Sequence, residues 1–90
     1  MITAQEFREI AIKKMSTPDM VKAARIIETF ILDAINNSNN YISINTEFAS
    51  FRGLCDLAKG YDNLKTYLEL HGYTVDTSVF DGRSFFTVSF

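Results

Sequence analysis

The sequence predicts an α+β domain in which N-terminal helices, a short strand and a helical pair lead into a C-terminal β-hairpin. Three observations carry that expectation. Apolar residues recur at helical spacing over 18–36 and again over 47–71. A brief alternating run, Tyr41 to Asn45, separates the two helical stretches. The last eighteen residues alternate around Asp81-Gly82, a dipeptide suited to a two-residue type I′ turn.

Thr3 and Glu6 have capping-box spacing, each able to satisfy the other's free backbone N–H, and open a helix over 4–15. Phe7, Ile10, Ala11 and Met15 form its apolar stripe. Ser16-Thr17-Pro18-Asp19 starts a second helix, since a hydroxyl cap, a first-turn proline and an acid at the positive end all suit an N-terminus. That helix runs over 18–36. Met20, Ala24, Ile27, Ile31 and Ala34 repeat at 4,3,4,3 spacing, with Val21, Ala23, Ile26, Phe30 and Ile35 widening the stripe. So much apolar surface marks the central helix of a core rather than a coiled-coil seam, because the repeat covers fewer than three heptads.

Asn36 to Asn40 is a loop, since asparagine side chains compete with helix for backbone hydrogen bonds. A strand follows over 41–45 with Ile42 and Ile44 on one face. Residues 47–71 read either as one bent helix or as helices over 47–59 and 62–71, with Phe48, Phe51, Leu54, Cys55 and Ala58 as the first stripe. Gly60 after Lys59, with Asp62 available as a cap, favours the break. Gly53 costs about 1 kcal/mol inside a helix relative to Ala, and is expected to permit close backbone packing. Gly72 fits the left-handed position that ends the helix after His71.

A two-residue turn at Asp81-Gly82 fixes the hairpin register by counting outward. Phe80 meets Arg83, Val79 meets Ser84, Thr77 meets Phe86, Val75 meets Val88 and Tyr73 meets Phe90. Most large residues then share one face, and a one-residue slip would reverse Phe86, Val88 and Phe90. The other face is polar except near the turn, where Phe80, Arg83 and Phe85 gather. Two aromatics and an arginine are a hot-spot composition, so these three residues are the candidate partner-binding site unless helices cover that face.

Composition narrows the function mainly by exclusion. With 47% hydrophobic and 22% charged residues, the 90-residue chain is an ordinary single globular domain. At that length its stability margin is thin, and a partner or self-association is expected to add to it. A net charge of −2 offers no general attraction to nucleic acid or to an anionic membrane. No apolar run reaches the roughly 20 residues needed to span a bilayer. Cys55 is the only cysteine and there is no secretory signal pattern, so a reducing cytoplasm is the expected location. His71 is the only histidine, sixteen positions from Cys55, and no carboxylate pair, metal-ligand cluster or phosphate loop stands out. The chain is expected to be no enzyme and to need no cofactor.

The order helix, strand, helix, helix, strand, turn, strand is that of a winged helix, which raises nucleic-acid binding as an alternative. Asn63, Lys65 and Thr66 would then face the groove, although Asp62 and Glu69 on the same surface would repel phosphates. One family-level likeness attaches to Leu64-Lys65-Thr66-Tyr67-Leu68-Glu69-Leu70-His71-Gly72-Tyr73-Thr74-Val75, to the closing Phe86-Thr87-Val88-Ser89-Phe90 and to the opening Met1-Ile2-Thr3-Ala4. In these segments the chain resembles small proteins encoded by tailed bacteriophages. The resemblance covers about a third of the chain and carries no site residues across. It implies a non-enzymatic viral role, as a minor virion component or as a binder of a host or defence factor.

Overall fold

The computed structural model describes residues 1–90 as four helices and a three-stranded antiparallel sheet. The order is α1 (Ala4–Met15), α2 (Pro18–Asn36), β1 (Tyr41–Asn45), α3 (Ala49–Ala58), α4 (Tyr61–Leu70), β2 (Thr74–Phe80) and β3 (Arg83–Ser89). This is the expected α+β order, with two helices rather than one across 47–71.

Local chemistry sets the boundaries. The Thr3 and Thr17 hydroxyls accept from the backbone N–H groups of Glu6 and Met20, at 3.1 and 3.2 Å, and so cap α1 and α2. Helix α3 closes differently from expectation. Lys59, not Gly60, takes the helix-closing left-handed conformation (φ 61°), while the Gly60 N–H reaches back to the Cys55 carbonyl at 2.9 Å. Gly60 itself has φ 131°, a region side chains avoid, and leads directly into α4, so Asp62 lies in the first turn instead of capping it. Phe48 precedes α3 at the N-cap position and is exposed, rather than belonging to its buried stripe.

In the sheet, β3 lies between β1 and β2. The hairpin register is the one the turn dictates, from Phe80↔Arg83 through Val79↔Ser84 and Thr77↔Phe86 to Val75↔Val88. Asp81 and Gly82 both have positive φ, 54° and 73°, as a type I′ turn requires. Strand β1 adds to the other side of β3, with Ile42 opposite Val88 and Ile44 opposite Phe86.

One face of the sheet meets the helices. Phe86 is fully buried there, with its ring centroid 5.2 Å from that of Phe51 on α3 and 5.6 Å from that of Tyr61 on α4. Ile27 and Ala23 of α2, Leu54 of α3 and Leu64 and Leu68 of α4 complete the centre of the core. Helix α1 is the outlier. It packs on α4, where the Ser16 and Tyr67 hydroxyls lie 2.9 Å apart, yet none of its residues is buried. Phe7 and Ile10 of its apolar stripe stay exposed, because α4 alone is too narrow to cover that face.

Gly53 also departs from expectation. A methyl group there would meet nothing within 4 Å, so close packing is not its role. With no positive φ to preserve, Gly53→Ala should raise stability by up to about 1 kcal/mol, seen as a melting-temperature gain of about 4–8 °C. A fall in melting temperature would contradict the open surroundings of Gly53. Phe86→Ala should do the reverse and cost about 3–5 kcal/mol, since it removes a fully buried ring from the centre of the core. In so small a domain that should abolish or severely broaden cooperative unfolding by circular dichroism, and a shift of only a few degrees would remove Phe86 from the centre of the core.

Candidate interaction site

The candidate residues Phe80, Arg83 and Phe85 are brought together at the free end of the hairpin. Their placement follows from where the ribbon leaves the body of the domain. On β2 the last tie is a hydrogen bond between the Thr77 and Tyr61 hydroxyls. On β3 it is the Ser84 carbonyl, which accepts from the Thr46 backbone N–H at 3.0 Å and from its hydroxyl at 3.3 Å. Beyond these points, residues 78–83 project as a two-stranded ribbon.

Phe80 is 76% exposed and pairs with exposed Arg83 on the outer face of the sheet. Phe85 lies on the same face, half-buried between Ser78 of β2 and Asn45 of β1. Helices do not cover this face, since Thr74, Asp76 and Ser78 beside it are exposed. The structure adds Val79, which register counting had placed among the core-facing residues. It is 72% exposed, because the helical layer ends before reaching it. A signal for this was present in the pairing, as Val79 faces Ser84 whereas deeper core-facing positions meet Phe86 and Val88. The tip is thus apolar on both faces, with one cation and one anion, Arg83 and Asp81, beside the turn.

The residues of the nucleic-acid alternative lie on α4 but do not form one open surface. The Asn63 side-chain amide donates to the Lys59 carbonyl at 3.2 Å, and Asn63 lines a cleft with Met15, Thr17 and Met20. Lys65 is half-buried. Thr66 is exposed beside Asp62 and Glu69, so the accessible part of this face carries acid.

The chemistry-bearing side chains stay apart. Burial, with the Asp56 carboxylate beside it, pushes the Cys55 thiol above its ordinary value and disfavours the nucleophilic thiolate. His71 closes α4 with its ring against Tyr67, at 4.8 Å between centroids, and lines a cleft with α2 residues that excludes Cys55. No group of three or more His, Cys, Asp or Glu side chains is placed to hold a metal ion. No helix is long and apolar enough to cross a membrane. A separate groove of about 420 Å³ follows the free edge of β1, between α2 and the start of α3.

The fold and the tip define an α+β domain with winged-helix order and a projecting apolar ribbon. No protein-family model, curated protein or solved structure matches the chain.

Proposed function

We propose that this protein acts through protein–protein contact, with the hairpin tip as its binding element, and that it is a non-enzymatic, phage-encoded protein. One observation carries the reading: Val79 and Phe80 stand largely exposed on opposite faces of a ribbon that nothing in the domain covers. Exposing two large apolar side chains costs solvation free energy that burial in a partner recovers. Arg83 beside Phe80 supplies the charge-assisted hydrogen bonds that orient such a contact. A fitting partner has an apolar cleft wide enough for a β-turn and a carboxylate at its rim. The likeness of the C-terminal third to small tailed-phage proteins supports a viral setting, either in the virion or against a host or defence factor in the host cytoplasm. The single cysteine suits that reducing compartment.

The winged-helix order makes duplex DNA the alternative partner, and the acidic exposed face of α4 weighs against it.

Phe80→Ser and Arg83→Glu touch only exposed positions, so each should leave the melting temperature nearly unchanged. Each should weaken partner binding by about thirtyfold or more, as removal of a hot-spot residue does. A photoreactive residue at position 79 should cross-link to that same partner. Full binding by both variants would sink the proposal. For DNA, the expected result is no mobility shift of a duplex even at low salt. A salt-dependent shift lost on Lys65→Glu would instead establish the alternative.

A further inference from the structure

The free edge of β1 is a second surface, distinct from the tip and independent of the function proposed for it. The ladder shows which backbone groups it presents. The Thr46 N–H donates to Ser84 and the Phe90 N–H to the Asn40 carbonyl, so even-numbered residues of this stretch point their backbone groups at β3. By alternation, Tyr41, Ser43 and Asn45 point theirs away from the sheet, where the Asn45 carbonyl already accepts from the Phe48 N–H at 3.1 Å. Proteins blunt such edges with lysine, proline, a bulge or a covering segment, whereas Tyr41-Ile42-Ser43-Ile44-Asn45 has no charge and no proline. The groove running alongside leaves the edge open, with Phe30 and Phe48 exposed on its helical side.

We propose that this edge pairs with the same edge of a second copy, forming a two-fold dimer with one continuous six-stranded antiparallel sheet. The sequence of β1 is complementary to itself about Ser43. In that register each Ser43 N–H donates to the second copy's Ser43 carbonyl, and each Asn45 N–H to the second copy's Tyr41 carbonyl. Ile42 comes opposite Ile44 on the helical side, where Phe30 and Phe48 of both copies meet beyond them. The outer side apposes Ser43 with Ser43 and Tyr41 with Asn45, all uncharged. Asp33 is the one charged residue lining the groove, so a strongly charged peptide finds little there to select it, while a second copy brings the same neutral strand.

The surface area points the same way. The chain exposes 6300 Å², against about 5300 Å² for a folded monomer of this mass. Its radius of gyration is 13.6 Å, against about 12 Å for a compact 90-residue domain. The excess, about 1000 Å², is shared among α1, the hairpin tip and the groove side of β1, and it exceeds the roughly 800 Å² per partner that a standard interface buries.

Sedimentation equilibrium at concentrations up to 100 micromolar should find a dimer. Ser43 is exposed, so Ser43→Lys should leave the fold intact while setting two lysines directly opposite each other across the two-fold axis, with Cα atoms about 5.5 Å apart. It should weaken dimerisation by tenfold or more, whereas Ser43→Thr and Phe80→Ser should not. In a Cys55→Ala background, Ser43→Cys should give a disulfide-linked dimer on mild oxidation, since the paired backbone separation lies within disulfide reach. A wild-type monomer at 100-micromolar concentration would overturn the proposal. So would a dimer unaffected by Ser43→Lys, or an edge that binds an extended peptide while the protein stays monomeric.

Discussion

The structure hangs on the burial of Phe86. It sits on the middle strand, flanked in register by Ile44 and Thr77, and it meets Phe51 and Tyr61 from two different helices. One side chain therefore links the sheet to both members of the helical pair. The Phe51 and Tyr61 rings lie at 6.4 Å from each other, so the three aromatics form a closed cluster rather than a chain of separate contacts. The break between α3 and α4 serves this cluster. Left-handed Lys59 and the unusual backbone of Gly60 turn the chain sharply enough to bring Tyr61 back over the ring on which Phe51 packs.

Building the core around one central ring leaves the periphery thinly covered. Only 16 of 90 residues are buried, and these lie near Phe86 and the α2 stripe that packs beside it. Exposed apolar residues surround this core: Phe7 and Ile10 on α1, Ile26, Phe30, Leu32 and Ile35 on α2 itself, Phe48 ahead of α3, and Val79 and Phe80 at the tip. A larger core would have covered some of them, but a chain of this size lacks the volume to do so. Exposed apolar surface and a small core are two views of one constraint.

Much of the candidate site could be read from residues 73–90 alone. The turn dipeptide fixed the pairing, the pairing fixed the faces, and the faces grouped Phe80, Arg83 and Phe85. Val79 escaped because alternation tells which face a residue is on, not whether anything lies opposite that face. The same gap explains Gly53, whose helix position was legible and whose empty surroundings were not. It explains α1 as well, where Phe7 and Ile10 form a sound amphipathic stripe with too little surface to lie against.

By itself, then, the sequence determined the type and order of the elements and the register of the hairpin, and favoured a break near Gly60 while leaving one helix or two open over 47–71. These depend on short-range physics: caps at Thr3 and Thr17, the glycine that lets the chain turn at 82, and periods of 3.6 and 2 in the apolar residues. Tertiary structure alone decided that β1 joins β3 rather than β2, that the helical layer ends at Thr77, and that the outer edge of β1 stays open. Each of these is a question of which surfaces meet across long stretches of chain. Alternation in β1 suits either neighbour equally well, and it is the burial of Ile42 beside Val88, with Ile44 half-buried beside Phe86, that selects one.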